Sequence, residues 1–172
     1  MTAQSDTLPT ENGAATTHGR VWTSNGMIAT SMEPAEVAAT LRSDQHAGAW
    51  YFLPRQQTKA LLEAARHLGL DALAIEDVVG QREPMKLEWV GDSMVAVIRG
   101  VSFDAAVGDA TSAPVSVLAG PRAMIVLADE SMEAELCHQL VKAEQQILRD
   151  GVPAAIHAIV DHLVEAIRQH WN

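Results

Sequence analysis

The segment HLGLDALAIEDVVGQREPMKLEWVGDSMVAVIR, residues 67–99, decides the fold. Gly69 can take the left-handed conformation that closes a helix before it, and Asp71 can cap a new helix through its side-chain oxygen. The spacing predicts a short acidic helix from Asp71 to Val79, with Leu73, Ile75 and Val78 available for burial and Glu76-Asp77 at its centre. Gly80 and Pro84 end helical continuation. Lys86 to Val90 then alternates as a partly buried strand would, Gly91-Asp92 is a two-residue hairpin signal, and Met94 to Ile98 is the return strand.

Upstream of this segment, Trp50 to Leu53 is short and aromatic-rich, as a strand is, and Pro54 ends it. From Gln56 to Leu68 the positions Leu61, Leu62, Ala65 and Leu68 repeat at helical spacing. Pro34 suits the first turn of a helix through Arg42, edged by Val37 and Leu41. Before it, Ser24-Asn25-Gly26 separates Val21-Trp22 from Met27-Ile28 and predicts a hairpin over Arg20 to Thr30. Residues 1–19 have no large apolar residue after Leu8 and no period, so a disordered tail is expected there, with the folded domain over 20–172.

Downstream, Asp104 to Ala113 is small and polar and reads as a surface loop. Val115 to Ala119 and Ala123 to Leu127 flank Gly120-Pro121-Arg122 as a second hairpin. Ser131 can cap a helix carrying Met132, Leu136, Leu140, Ala143 and Ile147 on one face, which Gly151 terminates. Pro153 opens a last helix with a stripe of Ile156, Ile159, Val160, Leu163, Val164, Ile167 and Trp171. Strands and helices in this order predict an α/β fold, a mixed β-sheet sandwiched between helices on both faces (α/β/α).

At 172 residues and 48% hydrophobic, one domain is the expectation. Cys137 stands alone, which excludes an internal disulfide and fits a reducing, cytoplasmic compartment. No apolar run reaches the roughly 18 to 20 residues of a spanning helix, and no basic-then-apolar leader opens the chain. The net charge of −10 disfavours nucleic acid and anionic lipid, whose binding needs clustered Lys and Arg, and leaves cations as the more plausible partners.

Chemistry has few candidates. Glu76 and Asp77 are oxygen donors of the kind Mg²⁺ prefers, and Mg²⁺ uses one or two carboxylates while keeping several waters. Adjacent acids on a helix point about 100° apart, however, and commonly form a solvated face. His157, Asp161 and Glu165 at i, i+4 and i+8 would suit Zn²⁺, yet any amphipathic helix shows such a polar row. Glu63 and His67 form a similar pair. Cys137 reads as a small buried side chain, and Lys86 and Glu88 as strand residues. There is no phosphate-cradling glycine loop, Gly-x-Ser-x-Gly elbow or His-Glu-x-x-His, so no enzyme is expected.

The segment around Glu76-Asp77 resembles the cytoplasmic domain of the CorA family of divalent-cation (magnesium and cobalt) channels. The family pattern runs His-Pro-Leu-x-x-Glu-Asp-[Ile/Val], then Gln-Arg-Pro-Lys-[Leu/Val]-Glu, then a hairpin into an apolar strand. Leu73, Glu76, Asp77, Val78, Lys86, Leu87 and Glu88 carry the match. Asp71-Ala72 stands in place of His-Pro, and Glu83-Pro84-Met85-Lys86 in place of Gln-Arg-Pro-Lys. The resemblance extends to Ala49 to Leu53 and to Ile159 to Val164, and covers about Trp22 to Trp171.

That resemblance implies an α/β/α sandwich and a regulatory metal site. Asp77 falls on a family metal ligand with Glu76 beside it, and Asp161 on another such acid, the shell being completed in the family by a stalk-helix aspartate of a neighbouring subunit. In that family, magnesium held there locks the pentamer shut. The implied role is therefore the metal-sensing, assembling cytoplasmic domain of a divalent-cation transporter. It would be a homo-oligomer that binds Mg²⁺ weakly, with Co²⁺ or Zn²⁺ as further cations, and that meets a membrane only through segments outside this sequence. Two transmembrane helices and the family's Gly-Met-Asn signature do not occur among these residues. The rival reading is a stand-alone soluble interaction protein of the same fold without metal binding, and a third is a small α/β enzyme with an unrecognised site.

Overall fold

The computed structural model describes residues 18–30, 33–79, 85–104, 106 and 108–170. In chain order these form β1 (His18–Thr23), β2 (Gly26–Thr30), α1 (Pro34–Ser43), β3 (Gly48–Pro54), α2 (Thr58–His67), α3 (Ala72–Val79), β4 (Lys86–Val90), β5 (Ser93–Asp104), β6 (Asp109–Ala119), β7 (Ala123–Ala128), α4 (Glu130–Lys142), α5 (Glu144–Asp150) and α6 (Val152–His170). The seven strands make one mixed sheet in the order β2-β1-β3-β7-β6-β5-β4. Only β3 and β7 run parallel among its described pairs, from Ala49 opposite Ala123 to Pro54 opposite Ala128.

Those two central strands are buried at every position, as continuous apolar runs covered on both sides must be. Their alternation sorts the core into two layers. Ala49, Tyr51, Leu53, Ile125 and Leu127 point to the layer containing Val37, Leu61 and Ile75, which belongs to α1, α2 and α3. Trp50, Phe52, Met124 and Val126 point to the layer containing Leu136, Ile147, Ile159 and Leu163, which belongs to α4, α5 and α6. The fold is thus the expected α/β/α sandwich.

The deciding segment folds largely as its residues predict. Gly69 adopts φ 71° after α2, and the Leu73 N–H donates to Asp71 Oδ1 at 2.8 Å, capping α3. The hairpin β4–β5 turns at Gly91-Asp92 with Val90 opposite Ser93 and Lys86 opposite Val97. Leu73, expected in the core, is instead 63% exposed, because Ala74, Ile75 and Val78 form the buried face of this short helix. Leu62 of α2 is exposed for the same reason, with Leu61, Ala64 and Ala65 facing the sheet.

Three boundaries differ from expectation. The loop predicted over Asp104 to Ala113 is mostly strand: β5 and β6 stay paired out to Asp104 opposite Asp109. This ribbon extends past the helix-covered core, so its outer residues need no apolar alternation. The helix predicted from Ser131 to Gly151 is two helices broken at Ala143, and α4 begins at Glu130 with Asp129 at the N-cap. The turn lets Leu136, Leu140 and Ile147 all reach one layer. Strand β1 starts at His18, inside the expected tail; residues 1–17, Gly80 to Pro84 of the segment, and Trp171 lie outside the described residues.

Candidate functional site

Glu76 and Asp77 lie in the last turns of α3, whose buried face packs on β5 and β6. Their carboxylates point away from that core, and Asp77 is 39% exposed. The same packing that fixes the helix fixes a neighbour for Asp77. Lys86 faces α3 from the start of β4, and its ammonium lies 3.6 Å from Asp77 Oδ2 and 3.1 Å from Glu88 Oε1. Lys86 itself is largely covered, so this is a positioned cation.

Asp161 occupies the outer face of α6, 76% exposed, with His157 Nδ1 at 3.7 Å one turn earlier. Ile159 and Leu163, on the opposite side of the helix, are buried in the second core layer. Glu165 pairs within the helix, accepting from Gln169 Nε2 at 3.2 Å with Arg168 at 3.8 Å. The row His157, Asp161 and Glu165 therefore satisfies itself locally as a solvated face. Asp161 also borders an open polar cleft of about 810 Å³ between α4 and α6, lined by Glu135, Gln139, Lys142, His162 and Glu165. In that cleft His162 Nε2 sits 3.2 Å from Glu135 Oε1.

The sheet stands between the two acidic positions, since α3 belongs to one helix layer and α6 to the other. One copy of the chain thus does not bring Glu76, Asp77 and Asp161 together. Among the described residues no cluster of three His, Cys, Asp or Glu side chains is arranged to hold a metal ion. The donors present fit Mg²⁺ only as partial shells of one or two carboxylates completed by water or by another molecule.

The most heavily bonded polar groups lie elsewhere, where the sequence shows no motif. Asp44 accepts from Ser24 N–H at 2.9 Å, Ser24 Oγ at 3.0 Å and His46 N–H at 2.8 Å. The backbone donors of Ser24 and His46 hold its carboxyl below the usual range. Arg122 donates to the Leu41 and Asp44 carbonyls at 2.6 and 2.9 Å, satisfying the end of α1. Arg55 Nη2 donates to the Pro114 and Leu127 carbonyls and to Ser116 Oγ, stitching β6 to β7 at one sheet end. Burial lowers its pKa from the ordinary arginine value. These groups tie elements together.

No protein-family model and no curated protein matches the sequence. Solved structures do share the fold. The full-length CmaX protein superposes with a TM-score of 0.64 at 15% identity, over 92% of this chain and 49% of its own. The soluble domain of CorA from Methanocaldococcus jannaschii gives 0.62 at 9% identity over 91% and 58%. The ZntB cytoplasmic domain from Vibrio parahaemolyticus RIMD 2210633 gives 0.58 at 11% over 88% and 59%. The fold is therefore that of the CorA-type cytoplasmic domain, and this chain spans about half to three fifths of the length of the chains it matches. No helix among the described residues is long and apolar enough to cross a membrane.

Proposed function

We propose that this chain is the cytoplasmic, metal-sensing part of a CorA-type divalent-cation transporter, working as a homo-oligomer in which Glu76, Asp77 and Asp161 supply carboxylates to Mg²⁺ between copies. The observation that carries the reading is the placement of these acids on opposite faces of one sheet, each exposed and each short of a full shell. A set divided in this way is useless within one copy and useful in a ring, where the α6 side of one subunit meets the α3 side of the next. The CorA-type fold supports the transporter context. Conduction would belong to segments outside this sequence. Co²⁺ and Zn²⁺ are the other cations to which this role extends, and the place of action is the cytoplasmic face of a membrane.

The test is a thermal melt in rising MgCl₂ against NaCl of equal ionic strength. A site of few carboxylates binds in the millimolar range, about −4 kcal/mol, and at ten times that dissociation constant stabilises the fold by about 1.4 kcal/mol. The expected rise is a few degrees, on the order of 3–6 °C. Because the acids are separated, Asp77→Asn and Asp161→Asn should each reduce the shift, and the pair should abolish it. A magnesium shift no larger than the sodium one overturns the reading in favour of a soluble interaction protein of the same fold. That second reading draws on the ion pair by which Lys86 already occupies Asp77.

A further inference from the structure

Strand β4 closes one edge of the sheet and carries a row of uncovered apolar side chains. Met85, Leu87 and Trp89 are 67%, 70% and 71% exposed, although Trp89 and Leu87 stand opposite Met94 and Ala96, which are buried beneath α6. They therefore share the α6 face of the sheet, and α6 stops short of covering them. Lys86 and Glu88 point to the other face, opposite Val97 and Val95. No described strand pairs with the outer side of β4. Native sheet edges are commonly protected by proline, bulges or charges directed along the exposed face. On this face β4 has none of these.

We propose that β4 is a self-association edge, pairing antiparallel with β4 of a second copy about a two-fold axis through Leu87. Backbone geometry allows few registers. The two-residue turn at Gly91-Asp92, with Gly91 at φ 59°, makes Val90 and Ser93 a hydrogen-bonded pair. Alternation then aims the N–H and C=O of Leu87 and Trp89 outward, away from β5. A two-fold perpendicular to the sheet keeps each face on its own side, so only residues of like parity can stand opposite one another.

Charge and the apolar row together select among the registers that remain, since an axis through Trp89 sets Leu87 against the turn residue Gly91 and carries Met85 past the end of the strand. An axis through Glu88 sets Glu88 against its own copy, and one through Lys86 does the same with two ammonium groups. An axis through Leu87 sets Lys86 against the second copy's Glu88 twice, Leu87 against Leu87, and Met85 against Trp89 twice. Opposite charges facing across strands stabilise and like charges destabilise. This register also joins the outward backbone groups of Leu87 into a reciprocal pair, and it buries the apolar row as one ridge. The occupant that satisfies backbone, charge and apolar pattern together is thus the same strand of another copy. The inference stands independently of magnesium and of any ring assembly, because a two-fold edge is a different surface relation from a head-to-tail one.

Sedimentation equilibrium of the 172-residue chain, with and without MgCl₂, reads the association directly. Without MgCl₂ the expected species is a reversible dimer, and any larger assembly that forms only when MgCl₂ is added belongs to the magnesium-bridged ring and not to this edge. Glu88→Lys and Lys86→Glu should each weaken it about tenfold, since each turns two attractive contacts into repulsive ones. An equimolar mixture of the two variants should recover dimer, because the mixed pair restores both contacts. Leu87→Asp, on an exposed side chain, should leave far-ultraviolet circular dichroism unchanged and abolish dimer, which keeps the test open if Lys86→Glu fails to fold. A wild-type chain that stays monomeric at millimolar concentration, a Leu87→Asp chain that dimerises as the wild type does, or a folded mixture that fails to recover dimer each overturns the proposal.

Discussion

Lys86 Nζ lies 3.6 Å from Asp77 Oδ2, so the edge strand holds a cation against the acid that we propose as a metal ligand. The contact couples two roles. It anchors β4 to α3, and it sets a fixed positive charge in competition with any divalent ion arriving at Asp77.

Replacing Lys86 by Gln should therefore raise magnesium affinity at Asp77. Two unit charges about 4 Å apart, screened as fully as in bulk water, interact by about 1 kcal/mol, which sets the expected gain at roughly fivefold in affinity or more. The metal-free melting temperature should fall only slightly, since both carboxylates facing Lys86 are more than a third exposed and such a solvent-screened pair contributes about 0–1 kcal/mol. Isothermal titration with MgCl₂ checks the affinity and a metal-free thermal melt checks the stability, and an unchanged or weaker affinity in Lys86→Gln would remove Asp77 from the metal site.

Gly48 is required by Trp22. The two residues stand opposite one another where β1 pairs with β3, and a Cβ added to Gly48 would overlap Cζ2 and Cε2 of the Trp22 indole. Trp22 is buried, so the ring cannot swing into solvent without opening the α5–α6 layer. Gly48→Ala should destabilise the fold by about 1–3 kcal/mol through overpacking. That is a fall of roughly 2–12 °C in melting temperature, and Trp fluorescence during the melt should report loss of the buried environment. A melting point within a degree of the parent would show that this corner of the core is loosely packed.

Cys137 should react slowly while the chain is folded. Burial pushes its thiol up to about 11 from an ordinary 9, with Glu133 adding to the effect. At pH 8 the thiolate fraction is then about 100-fold lower than in the unfolded chain, and alkylation by iodoacetamide should slow to match. A thiol whose pKa is raised by folding contributes stability present below about pH 9 and lost as pH rises through 11. A labelling rate at pH 8 equal to that in denaturant would contradict the burial.

Local chemistry was enough to locate most elements. Gly69, Asp71 and the Gly91-Asp92 turn act over two or three residues, so their consequences follow from backbone preferences and short hydrogen bonds alone. The runs Trp50 to Leu53 and Ala123 to Leu127 read as strands because a strand covered on both sides needs apolar residues at every position. Where a boundary was misread, a distant partner was responsible. The small polar residues of 104–113 hold strand geometry by pairing within a ribbon, and Ala143 breaks a helix so that both pieces can reach the same core layer.

The acids show the same division more sharply. Glu76 and Asp77 were legible only as candidate oxygen donors, and Asp161 joined them in one proposed metal set through the CorA resemblance alone. That they lie on opposite sides of a sheet was not legible, because the side a helix takes depends on the direction in which the strand before it leaves the sheet, a relation among strands more than forty residues apart. The same holds for Lys86 beside Asp77 and for the bare apolar row on β4. A sequence specifies the alternation of a strand, but which of its faces a helix will cover is set when all seven strands have found their order.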